Sequence, residues 1–115
     1  NKRMKWNDIM LQEFKYEDIT LKEDMLPVIS VGTVLAHPIK VKICEIIEKH
    51  YELTAAQISR ILKVPPANIY KLIGGMLREN VIIPSRTTSR EVYLRLNKEY
   101  IHSAMKKMNE FFAFK

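Results

Sequence analysis

At 115 residues the chain suits one compact domain with an appended element, and its 47% hydrophobic fraction is enough for a real core. Its apolar stretches fall well short of the ~20 residues that span a bilayer. Charges interrupt the apolar positions from Asn1 to Tyr16, unlike a signal peptide, and the single cysteine, Cys44, excludes an internal disulfide; the cytoplasm is the expected location, with no membrane partner. The net charge of +6 is unevenly spread: Thr54 to Arg95 holds seven basic residues (Arg60, Lys63, Lys71, Arg78, Arg86, Arg90, Arg95) against Glu79 and Glu91. Such a local excess is the electrostatic footprint of a phosphate-binding surface, or a solvated basic face with no partner.

In chain order, Trp6, Ile9, Met10 and Phe14 recur at helical spacing, the mark of a short amphipathic helix. An apolar run from Met25 to Leu35 predicts a second helix, interrupted by Pro27 and Gly32. His37-Pro38 is punctuation: proline suits a first helical turn, where its missing N–H is not needed. Ile39, Ile43, Ile46 and Ile47 then mark an amphipathic helix to about His50. Thr54-Ala55-Ala56-Gln57 is a capping box opening a short helix that buries Ile58, Ile61 and Leu62. Lys63-Val64-Pro65-Pro66 breaks it, because a residue before proline is driven out of the α region. A new helix from Pro66 should turn Ile69, Leu72, Ile73, Met76 and Leu77 inward and stop at a left-handed Asn80.

Val81-Ile82-Ile83 reads as a strand that Pro84 ends or marks as an edge. Arg86 to Arg90 is polar and turn-like, and Val92, Leu94 and Leu96 alternate with Tyr93 and Arg95 as in a half-buried strand. Asn97 caps a last helix through about Phe112. The predicted fold is therefore mainly α with a small β-hairpin (α+β): a winged helix-turn-helix. Its second paired helix, about 66–79, would enter the major groove, and its wing, 84–91, would meet backbone or minor groove.

From Val34 to Tyr100 the chain resembles the ArsR-like winged-helix transcriptional regulators. Leu35-Ala36-His37-Pro38-Ile39-Lys40 is similar to that family's leucine-alanine-histidine-proline-x-arginine opening, with Lys40 in the arginine position. Glu52 to Ile58 resembles the start of its supporting helix. Leu77 to Ile82 resembles its entry into the wing, one residue tighter and with Asn80 for glycine, and Tyr93 to Asn97 resembles its exit. The resemblance implies a DNA-binding regulator. It also locates what is missing: the metal-sensing cysteine pair of many such proteins would fall on Thr54 and Ala56, and His102 alone cannot build a site on the last helix. No metal or other cofactor is expected.

The candidate DNA-binding residues are Thr54, Arg60, Lys63, Ala67, Asn68, Tyr70, Lys71, Gly74, Arg78, Arg86, Thr88 and Arg90. Asn68 can pair two-fold with adenine, and Lys71 can reach guanine or phosphate. Gly74-Gly75 weakens a helix by roughly 1 kcal/mol per glycine, for close approach to DNA or a neighbour, or as a tolerated interior. Arg86 and Arg90 flank the expected wing tip, so losing Arg86 should weaken binding to every sequence alike. Thr54 is first a helix cap and second a phosphate contact.

Ile101, Met105, Met108 and Phe112, widened by Ala104 and Phe111, form a heptad-like stripe wider than one terminal helix needs. With Trp6 and Met10 they are the expected homodimer interface. The implied organisation is an N-terminal extension, 1–30, packing at the interface, a DNA-binding domain, 31–97, and a dimerisation helix, 98–115. No phosphate-binding glycine loop, H-E-x-x-H or nucleophile elbow is present, so an enzyme is not expected. Two other readings stay open: a winged-helix protein-interaction module without DNA binding, and a regulator with a small-molecule pocket at the dimer seam.

Overall fold

The computed structural model describes residues 25–113. The stretch from Trp6 to Phe14, with its interface candidates Trp6 and Met10, lies outside them. The elements run α1 (Leu26–Leu35), α2 (Pro38–His50), β1 (Leu53–Thr54), α3 (Ala55–Leu62), α4 (Pro66–Arg78), β2 (Ile82–Thr87), β3 (Val92–Leu96) and α5 (Lys98–Phe111). The strands form one antiparallel sheet in the order β1-β3-β2. No single helix among the described residues is long and apolar enough to cross a membrane.

The helix boundaries follow local chemistry. Pro27 sits in the first turn of α1, where it costs no hydrogen bond. His37 adopts the extended conformation that a following proline enforces, and Pro38 opens α2. Thr54 accepts the Gln57 N–H at 3.1 Å while the Gln57 side chain accepts the Thr54 N–H at 2.9 Å, the reciprocal cap of α3. Asn97 caps α5 by accepting from the Tyr100 N–H, and its amide donates to the Asn80 carbonyl at 3.0 Å. That second bond ties the end of α4 to the start of α5.

The core draws Ile43 and Ile47 from α2, Ile58 from α3, Ile69 and Met76 from α4, Ile82 from β2 and Leu94 from β3. Each buried isoleucine contributes roughly 1.5–3 kcal/mol over an exposed one. α1 packs against α5, where Val31, Val34 and Ala104 are buried. α1 therefore runs across position 30/31, where the sequence sets the start of the DNA-binding domain.

Several expectations need correction. Ile39, Ile61, Leu77 and Val92, assigned inward by their spacing, are exposed. Each sits at an end or on the flank of its apolar stripe, where the neighbouring element no longer covers it. Of the two roles open to Pro84, it marks an edge and does not end the strand: β2 continues to Thr87 on the sheet edge, where no partner needs the missing N–H. Arg86 and Thr87 are thus strand residues, leaving Thr88 to Glu91 as the tip. The break after α3 comes one residue before the proline effect at Val64. Lys63 takes the left-handed conformation (φ 56°), and the buried Ser59 hydroxyl donates to the Val64 carbonyl at 2.6 Å.

Candidate nucleic-acid interface

α3 and α4 are joined by the three-residue turn Lys63–Pro65, and α4 carries the exposed face that matters most. At about 100° per residue, Ala67, Lys71, Gly74 and Arg78 point opposite to the buried Ile69, Ile73 and Met76. Tyr70 flanks this face on the wing side and Asn68 on the other, both exposed. Both glycines lie inside a continuous helix with ordinary backbone angles. A Cβ at Gly74 would meet only the end of Arg78 at 3.5 Å, and one at Gly75 the end of Lys40 at 3.6 Å. Nothing rigid within the chain therefore requires glycine at either position.

The cations separate into two groups. Lys40 pairs with Glu79 at 3.2 Å, joining the start of α2 to the end of α4, and Lys98 pairs with Glu48 at 2.9 Å. Arg60, Lys63, Lys71, Arg78 and Arg90 are exposed and form no ion pair among the described residues. All five come from α3, the turn, α4 or the wing tip; Lys49 on α2 and Lys106 on α5 are the other exposed cations without an ion pair among the described residues. Between α4 and the wing lies a mainly apolar cleft of about 420 Å³, walled by Tyr70, Ile73, Leu77, Val92 and Leu94 with Arg90 at its rim.

The wing does not present its arginines alike. Thr88 shapes the tip: its hydroxyl oxygen accepts the N–H of Glu91 at 3.1 Å and of Arg90 at 3.4 Å. The Arg90 side chain is left free there. Arg86, in contrast, lies on β2 beside a bulge, where Pro84 pairs with Leu94 and Arg86, not Ser85, with Tyr93. The extra residue turns Arg86 to the sheet face shared with Tyr93. Its guanidinium carbon sits 3.7 Å from the Tyr93 ring centre, and its Nε donates to Glu52 at 2.6 Å. Ser85 donates to the other Glu52 oxygen, also at 2.6 Å. The Ser85 and Arg86 hydrogen bonds hold the Glu52 carboxyl below its usual range, and Glu52 in turn raises Arg86. Arg86 therefore does not flank the tip as a free contact, because a fold-internal carboxylate already occupies it.

Two further candidates are corrected. Thr54 is buried with its hydroxyl oxygen engaged as the α3 cap, so its side chain offers no exposed surface to a phosphate. Ala104 is wholly buried and so not open to a second subunit, while Ile101 is half-buried with one side packed on the core. Met105, Phe111 and Phe112 are exposed and Met108 is half-buried, and on α1 Leu26 and Ile29 are exposed too. The sequence does not mark Ser59 or Glu52 as site residues. A serine inside a helix and an acid before a strand give no local signal; only the turn and the bulge bring them their partners. No cluster of three or more His, Cys, Asp or Glu able to hold a metal occurs among the described residues. Burial pushes the Cys44 thiol up to about 11, which keeps it protonated and unreactive at neutral pH.

No protein-family model matches the chain, and no curated protein matches it by sequence. Solved structures do. HlyU from Vibrio cholerae superposes with a TM-score of 0.60 at 12% identity, covering 80% of this chain and 98% of HlyU. A possible transcriptional regulator for arsenical resistance gives 0.60 at 14% identity, covering 82% and 88%. The YusO protein from Bacillus subtilis gives 0.53 at 17%, covering 95% and 77%. At these identities the likeness is one of fold, and with the helix pair and hairpin just described it makes this chain a winged helix-turn-helix protein.

Proposed function

We propose that the protein binds double-stranded DNA as a homodimer and regulates transcription. One observation carries the reading: of the seven exposed lysines and arginines that form no ion pair among the described residues, five, Arg60, Lys63, Lys71, Arg78 and Arg90, belong to the helix pair and the wing tip, against Lys49 and Lys106 elsewhere. A polyanionic partner accounts for that concentration. In this reading α4 enters the major groove, with Lys71 and Asn68 reaching base edges and Ala67 and Gly74 admitting the helix close to the groove floor. Arg60, Lys63 and Arg78 hold phosphates to either side, Tyr70 lies along the strand, and Arg90 with Thr88 sets the wing on the backbone or minor groove. Solved structures of transcriptional regulators that share this fold support the same reading.

The dimer is proposed on the exposed apolar surface of the last helix, Met105, Met108, Phe111 and Phe112, with Leu26 and Ile29 of α1 as the adjoining candidates. The N-terminal extension, 1–30, would add to that interface, and 98–115 would be its main helix. Two copies would offer two recognition helices to two half-sites.

The test is fluorescence anisotropy with random-sequence duplex DNA at 50 and 200 mM salt, with light scattering on the same sample. We expect a dimer whose affinity falls steeply with salt, by about 0.9 in log–log slope for each phosphate neutralised. A folded protein that ignores duplex DNA at 50 mM salt would overturn the reading in favour of a protein-interaction module.

A further inference from the structure

The Glu52–Arg86 pair is arranged unlike the other ion pairs of the molecule. Two donors of different kinds, the Ser85 hydroxyl and the Arg86 guanidinium, converge on the two oxygens of one carboxylate, each at 2.6 Å. The Tyr93 ring fixes the guanidinium from the other side. Hydroxyl and guanidinium are also the donors that proteins use to hold a DNA phosphate. Glu52 is largely covered while Arg86 remains half exposed, so the cation can be approached from solvent without moving the acid's backbone. The bulge at Ser85 is what delivers both donors, since regular pairing would set Ser85 opposite Tyr93 and turn Arg86 to the other face.

We infer that Glu52 is an internal substitute for a DNA phosphate, occupying Arg86 and Ser85 so that the wing base adds no sequence-independent affinity. The inference rests on the DNA-binding reading above and sharpens it. Arg90 at the tip is free to meet any backbone. Arg86 engages a phosphate only by exchanging one anion for another, and that exchange is nearly neutral because the carboxylate must be left behind. Glu52 would thus limit binding to random DNA and leave discrimination to α4.

The experiment measures binding to a random-sequence duplex from 50 to 200 mM salt for the full chain, E52Q, R86A and the double variant, with thermal melts alongside. Glutamine removes the charge and keeps one acceptor oxygen for Arg86, while its amide can donate to the Ser85 hydroxyl oxygen. E52Q should bind about fivefold tighter at 50 mM salt with a slope steeper by about 0.9, one extra phosphate. R86A alone should lose less than about twofold, because its partner within the fold already neutralises it. In the double variant the gain should vanish. An unchanged or weakened E52Q would overturn the inference and make the pair a brace for the wing. A gain that survives R86A would overturn it too, as plain repulsion between Glu52 and DNA. R86A alone tests the idea even if E52Q folds poorly: a tenfold loss there would show Arg86 already in use. In each of these outcomes the parent chain still binds DNA; a parent that fails to bind sinks the DNA reading itself.

Discussion

Two faces of this small domain solve opposite problems with the same element, an amphipathic helix exposing residues that a monomer has no reason to expose. On α4 and the wing tip the exposed residues are cations without counter-charges, in a region where each ion pair that does form lies at the margin. On α5 they are Met105, Phe111 and Phe112, the two phenylalanine rings packed edge to face with centres 5.0 Å apart. Repulsion among like charges argues for an anionic partner, and exposed apolar area argues for a partner that excludes water. The contrast teaches that the two surfaces should fail independently under mutation.

The largest expected effect comes from breaking the apolar face. Met105→Glu places a charge in the proposed seam and should convert the dimer to a monomer by light scattering. The recognition helix is untouched, yet affinity for a two-half-site duplex should fall by about a hundredfold, because the two sites no longer share one protein. A dimeric M105E protein would move the interface elsewhere. The next effect comes from the charged face. Lys71→Ala should cost about 1–3 kcal/mol of duplex binding if it reads a base. Its melting temperature and its mass should stay those of the parent, since Lys71 is exposed and forms no ion pair or hydrogen bond among the described residues. A K71A protein that binds normally would remove α4 from the major groove.

How far these faces could be read in advance depended on whether the signal was local. The caps at Thr54 and Asn97, Pro66 opening α4, and the left-handed Asn80 (φ 62°) all depend on neighbours within four residues, and all are where the sequence puts them. So is the order of elements, and with it the fold. What escaped depends on distant pairing. β1 has only two residues, and it exists because Leu53 and Thr54 pair with Leu94 and Tyr93, some forty positions away. The bulge at Ser85 has no marker in the sequence beyond a proline, and with it went the true environment of Arg86. Periodicity misplaced Ala104 for a related reason: spacing assigns a residue to a stripe but does not say whether α1 or another molecule covers it. Ala104 is covered within the chain, and Met105, the next residue, is left exposed.

The smallest effect bears on the glycine pair and is the most discriminating, because stability and binding should move in opposite directions. A methyl group at Gly74 meets nothing closer than the mobile end of Arg78. Within the monomer, Gly74→Ala should therefore stabilise α4 by about 0.5–1 kcal/mol, the ordinary helix-propensity difference. That is worth about 2–5 °C in melting temperature for a domain of this size. Such a gain, open to a single substitution yet not taken, calls for a reason outside the monomer. Gly74 lies on the outward face with Ala67 and Lys71, where a methyl group would hold the helix axis back from the groove floor. We expect G74A to melt higher and bind duplex DNA about fivefold more weakly, roughly 1 kcal/mol. Gly75→Ala is the matched control: it turns toward Lys40 rather than outward, so it should gain stability with little change in binding. If G74A gained stability and kept full affinity, the glycine would have no part in DNA approach, and the charged face would rest on its cations alone.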